Sequence, residues 1–207
     1  MPGAHLNPAL SEQPRSEVRK CQILDAAEDC FRNHGFHGAS IALISKTAGM
    51  SAGHIYHYFE NKEAIIAAIV EREKDQLLRM TAELRAADDM LAALLDSIER
   101  SVAEDLDPKA ASLKLEIIAE AARNPKVAEL LDTAGKLCMS SLTEVFRDLR
   151  HQQDRPIDEE ELVLHTEFIA VMFEGLSIRA IRNRNSDPKA IARMFRRVIR
   201  SMLTNAL

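Results

Sequence analysis

SIALISKTAGMSAGHIYHYF, residues 40 to 59, decides how this chain folds. Ser40 and Ser51 each stand directly ahead of a short helix-forming run, and serine is among the best N-cap residues. The first run goes from Ile41 through Leu43 and Ile44 to about Thr47, and the second ends near Phe59. Between them lies Ala48-Gly49-Met50, a turn in which Gly49 suits the left-handed backbone that tight turns commonly need. Two short helices joined this way after a longer one form a helix-turn-helix. Ile41, Ile44, Met50, Ile55 and Phe59 can close the pair over the helix before it, leaving the outer face of the second short helix free.

Working outward, Ser16 to His34 repeats apolar residues at helical spacing (Val18, Ile23, Leu24, Ala27, Cys30, Phe31), and Gly35 stops the pattern. Residues 1–14 read as a disordered tail, and residues 15–62 as the helix-turn-helix unit. Asn61 caps a fourth helix that starts at Lys62 and links to the remainder, 63–207. There, Asp88-Asp89 can cap a helix to about Asp105, and Pro108 and Pro125 suit first helical turns after Asp107 and Asn124. Gln152 to Pro156 reads as a polar loop. Asp158 opens a long apolar helix to about Arg182, and Asp187-Pro188 opens the last one. The expectation is an all-α chain of about nine helices.

Composition supports that class. Of 207 residues, 46% are hydrophobic but only 4% aromatic, and Gly and Pro number seven each. Such a mix favours helices and offers little material for strands. No apolar run reaches membrane-spanning length, and the N-terminal stretch lacks the apolar core of a signal peptide. Three cysteines make no disulfide framework; Cys21 and Cys30 would sit roughly 13 Å apart along a helix, too far to bridge. The cytoplasm is the expected compartment. Net charge is −5, yet the first part is neutral. Through Lys62 there are six basic residues (Arg15, Arg19, Lys20, Arg32, Lys46, Lys62) and six acidic ones (Glu12, Glu17, Asp25, Glu28, Asp29, Glu60). A nucleic-acid contact there has to rest on a few placed groups and not on a broad positive field.

The second short helix offers such groups. Recognition helices read duplex DNA from their N-terminal turn, which here presents Ala52, Gly53 and His54. Gly53 costs about 1 kcal/mol of helix stability against alanine, a cost explained if another surface must come close. His54 can donate to a guanine acceptor. Tyr56, His57 and Tyr58 carry hydroxyls and ring nitrogens able to reach phosphates. Packing of Tyr56 and Tyr58 against the first helix is the competing reading. Lys62, at the first position of a helix, opposes the helix dipole unless a phosphate sits at that end. Ser40 and Ser51 open two further helix N-termini able to hold phosphates. His34, His37, His54 and His57 pair at i, i+3, but no Cys or Asp completes a ligand set, so neither a metal nor another cofactor is expected.

GFHGASIALISKTAGMSAGHIYHYFENKEAIIAAIVE closely resembles the DNA-binding domain of the TetR family of transcriptional regulators, through its glycine turn followed by Ser-x-Gly-x-x-Tyr-x-x-Phe-x-x-Lys-Glu. The resemblance covers residues 16 to 72. It implies DNA contacts at Ser40, Ser51, Ala52, Gly53, His54, Tyr56, His57, Tyr58 and Lys62. Ala42 stands where some members carry a base-reading arginine, which shifts reading onto the third helix.

The same resemblance implies that the second part binds an effector and dimerises. Phe168 to Ile181 is apolar on nearly all sides, and the last helix carries an equally wide stripe, so the two can serve both a core and a second subunit. Phe168, Val171, Ile178 and Ile181, with Ile191, Phe195, Val198 and Met202, are the candidate dimer residues. LEIIAEAARNPKVAELL, residues 115 to 131, loosely resembles the regulatory domain of the subgroup containing the choline-responsive betaine-gene repressor. Glu116 and Glu120, a like-charged i, i+4 pair, either look into a cavity that takes a cationic, partly apolar ligand or lie on a solvated edge near Arg123. Met139, Phe146, Phe168, Met172 and Phe173 are the candidate pocket walls or else plain core. Cys138 has no neighbour in sequence that would activate it as a redox sensor.

The expected function is a homodimeric repressor that binds a palindromic duplex operator and is released by a small molecule. A transcriptional activator and a helical scaffold without DNA binding stay open. No nucleophile–base pair or phosphate loop suggests an enzyme.

Overall fold

The computed structural model describes residues 9–154 and 158–204. Among them are nine α-helices and no strand: α1 (Ala9–Gly38), α2 (Ile41–Ala48), α3 (Ala52–Tyr58), α4 (Lys62–Arg85), α5 (Met90–Asp105), α6 (Pro108–Ala121), α7 (Pro125–Gln152), α8 (Glu159–Arg182) and α9 (Pro188–Thr204). Helix punctuation in the sequence therefore marks the elements well. Asp89, Asp107, Asn124 and Asp158 each cap the helix that follows by accepting from its first-turn amides. The start of α1 is a correction: residues 9 to 14, expected as tail, are helical, while residues 1–8 of that tail lie outside the described residues. Arg155 and Pro156 of the expected polar loop do as well. No helix among the described residues is long and apolar enough to cross a membrane.

Two compact units divide after Ile69, inside α4. In the first, α1 packs on α2 and α2 on α3. Ile23, Ala27, Phe31, Ile44 and Ile55 are almost wholly enclosed, as are Ile65, Ile66 and Ile69 of α4. Gly35 leaves helical geometry (φ 71°, ψ 166°), which ends the regular part of α1 and lets Phe36 fold in beside Phe31, ring centroids 5.5 Å apart. Val18 was expected on the apolar face of α1 but is 65% exposed. It lies more than a turn ahead of Ile23, where the buried series begins.

The turn between α2 and α3 is a Schellman motif. Gly49 is left-handed (φ 66°, ψ 32°); its amide donates to Lys46 O at 3.2 Å and the Met50 amide to Ser45 O at 2.9 Å. Gln22 Nε2 of α1 donates to Ala48 O at 2.8 Å.

The second unit is built from α5 to α9 and the end of α4. Leu94, Leu95, Ile98 and Val102 of α5 pack with Phe146 and Leu149 of α7, Leu162, Ile169 and Leu176 of α8, and Ile199, Met202 and Leu203 of α9. Buried hydroxyls find partners: Thr81 and Ser141 share a 2.6 Å bond, and Thr143 donates to Thr166 at 3.3 Å. Arg150 is also buried. Its Nη1 donates to Leu203 O at 2.8 Å and to Met202 O at 3.5 Å, at the end of α9.

Candidate functional site

Two buried side chains orient α3. Ile55 is fully enclosed and Phe59, just after the helix, is 7% exposed; at i and i+4 they fix the inward face. The remaining side chains point away from the core. Ser51, Ala52, Gly53, His54, Tyr56 and His57 are exposed and Tyr58 is half-buried. Tyr56, at 56% exposure, is not packing material. His54, His57 and Tyr58 form one ring cluster, with His54–Tyr58 centroids 5.4 Å and His57–Tyr58 centroids 5.0 Å apart, both edge to face.

The helix starts bear on the phosphate contacts expected there. Ser40 Oγ accepts from the Leu43 amide at 3.1 Å and Ser51 Oγ from the His54 amide at 3.2 Å. Asn61 Oδ1 takes the Ala64 amide at 2.8 Å. Each cap thus uses one of the amides available to a phosphate and leaves the others. Lys62 has an additional role that sequence reasoning missed. Its Nζ donates to Phe36 O at 2.6 Å and stands 4.4 Å from the Phe36 ring centroid. The ammonium ties the start of α4 to the end of α1, past the Gly35 kink, and has two further donors left for an anion.

At Gly53 an added Cβ meets nothing within 4 Å, so nothing inside the fold requires glycine. Gly53→Ala is expected to raise headpiece stability by up to about 1 kcal/mol, read as a higher thermal midpoint, and at the same time to weaken duplex binding. Raised stability with undiminished binding would take Gly53 out of the contact surface.

In the second unit the proposed pocket residues separate. Glu120 is 2% exposed, which corrects the solvated-edge alternative. Its Oε1 accepts from Asn124 Nδ2 at 3.0 Å and its Oε2 lies 3.9 Å from Arg123 Nη2, so it braces the α6–α7 turn. Glu116 is half-buried on the same helix. Phe146 is core, and Phe173 packs edge to face on Phe195 with centroids 5.0 Å apart. Met172 is half-buried. Phe168 is 52% exposed and cannot wall an internal pocket. Met139 instead lines an open groove of about 280 Å³ with Ser140, Thr143, Glu144, Arg147, Glu159, Val163 and Glu167. Arg147 bridges Glu144 and Glu159 there, and hydrogen bonds to both carboxylates hold its guanidinium well above its ordinary pKa. Burial pushes the Cys138 thiol up, which works against thiolate chemistry.

The candidate dimer residues also separate. On α8, Phe168, Val171, Ile178 and Ile181 are exposed, together with Val163 and Leu164, which sequence reasoning missed. The spacing Leu164, Phe168, Val171, Ile178 is that of a helix–helix seam. On α9 the candidates are less exposed in the single chain. Met202 is core, and Ile191, Phe195 and Val198 pack against that core, because the apolar stripe of α9 faces α5. Met194, 53% exposed, is the apolar residue that α9 turns outward. Among the described residues no group of three or more His, Cys, Asp or Glu side chains is arranged to hold a metal.

A capped two-helix unit that turns a row of polar rings away from its own core is the reading head of a helix-turn-helix regulator of transcription. Comparison with known proteins narrows the class. The bacterial tetR regulatory-protein family matches residues 23–69, and the C-terminal domain of BetI-type transcriptional repressors matches residues 88–204. The transcriptional regulator UidR of Escherichia coli (strain K12) is 31% identical over 140 residues, 68% of this chain and 70% of UidR. The regulator BetI of Cronobacter sakazakii (strain ATCC BAA-894) is 30% identical over 179 residues, 84% of this chain and 83% of BetI. Among solved structures, Salmonella enterica GusR is similar with a TM-score of 0.72 at 29% identity, over 90% of this chain and 96% of GusR. The chain belongs to the TetR family of DNA-binding transcriptional regulators, with a BetI-type C-terminal domain.

Proposed function

We propose that this regulator is a homodimeric repressor that recognises a palindromic operator through α3 and is released by a small-molecule effector. The observation that carries the reading is the outward face of α3, where Ala52, Gly53, His54, Tyr56 and His57 stand exposed opposite buried Ile55. Two copies of α3 would enter successive major grooves roughly 34 Å apart. The exposed apolar row of α8 supports dimerisation, since a lone chain gains nothing from leaving Leu164, Phe168, Val171 and Ile178 in water. Residues 63–207 then hold the effector and the subunit contact.

For the effector, a cationic and partly apolar molecule suits both acidic features of the second unit. One is Glu116 with buried Glu120 on α6; the other is the groove carrying Glu144, Glu159 and Glu167 against Arg147. Its binding would lower operator affinity through a coupling of typically 1–3 kcal/mol.

A mobility-shift titration on the duplex upstream of the chain's own gene, run at several salt concentrations, tests the reading. Binding should fall steeply with salt. Tyr56→Phe should weaken it by about tenfold per subunit, the worth of one hydrogen bond to a charged oxygen. The salt slope should stay unchanged, because a neutral hydroxyl displaces no counterion. Wild-type affinity in the Phe variant would remove Tyr56 from the interface, and no binding at low salt would remove the DNA reading.

A further inference from the structure

The interface just proposed is short of fixed positive charge. Helix α3, AGHIYHY, holds no lysine or arginine, so His54 and His57 are its only cation-forming side chains. Helix α2, packed on α3, contributes Lys46 alone. Glu60 follows α3, and α4 opens with Lys62 and Glu63, Lys62 being bonded to Phe36 O. Against this stands a duplex with one negative charge per ~1.7 Å of axis.

Both imidazoles are exposed and lie on one side of α3, ring centroids 6.5 Å apart, with the Tyr58 ring edge to face against each. Tyr58 is thus a positioning residue that braces the pair. Imidazole is the side chain whose ordinary ionisation falls between about pH 5 and 8. A neighbouring anion favours its charged form. Once protonated, both ring nitrogens donate, which suits phosphate oxygens and the N7 and O6 acceptors of guanine. Two imidazolium ions this close repel each other, and a phosphate beside them offsets the repulsion.

Building on the DNA-binding reading, we infer that His54 and His57 take up protons as the headpiece docks, so that solvent protons supply the missing charge and pH sets operator affinity. The sign follows from linkage. The bound state holds more protons than the free state, so affinity is highest at low pH and is lost as pH rises through the range in which the docked imidazoles deprotonate.

The test is fluorescence anisotropy of the full chain on the duplex upstream of its own gene, at constant ionic strength, from about pH 5.5 to about pH 8.5. Wild type should bind roughly tenfold tighter per histidine at the acid end, with a salt slope steeper by up to about 0.9 per imidazolium. The double variant His54→Gln/His57→Gln should bind more weakly than wild type at the acid end and show neither the pH dependence nor the extra salt slope. Any contribution of the other histidines is common to both proteins and cancels. Since both side chains are exposed, the variant keeps its fold, which circular dichroism verifies. Calorimetry of wild type in two buffers of different ionisation enthalpy counts the protons directly. Equal pH slopes in the two proteins, or no net proton uptake, would overturn the inference while leaving DNA binding intact. Absence of binding at every pH and low salt would instead overturn the reading on which it rests.

Discussion

A chain carrying Phe168→Asp together with Ile178→Asp is expected to be monomeric and to bind its operator no better than unrelated DNA, a loss of roughly a thousandfold or more. Both side chains are about half exposed in the single chain (52% and 51%), so folding should survive the change. Two carboxylates per subunit set into an apolar helix–helix seam leave charges desolvated without partners, which costs several kcal/mol. A monomer keeps one α3 and loses the second groove, and with it most of the advantage over nonspecific sites. Light scattering coupled to size exclusion reads the mass, and anisotropy reads the affinity. A dimer of undiminished affinity would show that the seam lies elsewhere than on α8.

The second large effect is on stability. Arg150, 2% exposed near the end of α7, donates to the carbonyls of Met202 and Leu203. Those carbonyls belong to the last described turn of α9, and the final carbonyls of a helix lack intrahelical donors. A cation there also suits the negative end of the helix dipole. Arg150→Ala removes the charge-assisted bonds and leaves buried carbonyls behind, at a cost of about 3 kcal/mol. In urea the midpoint should fall by about 1.5 M for a unit of this size. Arg150→Met, which restores volume but not donors, should recover only a minor part. Full recovery by methionine would mean that packing, and not the capping of α9, is what Arg150 supplies.

How far the sequence could be read depended on the range of the physics involved. Capping and turn chemistry is local, which is why Ser40, Gly49, Ser51, Asp107 with Pro108, and Asn124 with Pro125 marked helix boundaries that the structure keeps. The outward side of α3 was legible for the same reason: Ile55 and Phe59 leave only one way for a short helix to face. Where an outcome depends on a distant partner, sequence was mute. The Lys62 ammonium meets a carbonyl 26 residues away. The apolar stripes of α8 and α9 look alike in sequence, yet α9 spends its stripe on α5 while α8 leaves a row in water. Glu120 shows the same limit. Helical periodicity put it at the margin of an apolar stripe, and only the turn into α7, with Asn124 beside it, determined that the carboxylate is enclosed.

The Gly49 turn bears on how the molecule meets its target. With the C-terminal end of α2 tied to Gln22, Gly49 and Met50 by hydrogen bonds already in place, the relative tilt of α2 and α3 is set before any duplex arrives. Little loop entropy then remains to be lost on docking, so affinity is not taxed by ordering the reading head. A preorganised head of this kind is a poor place for an effector to intervene, so in the proposed dimer the distance between the two heads would be the adjustable quantity.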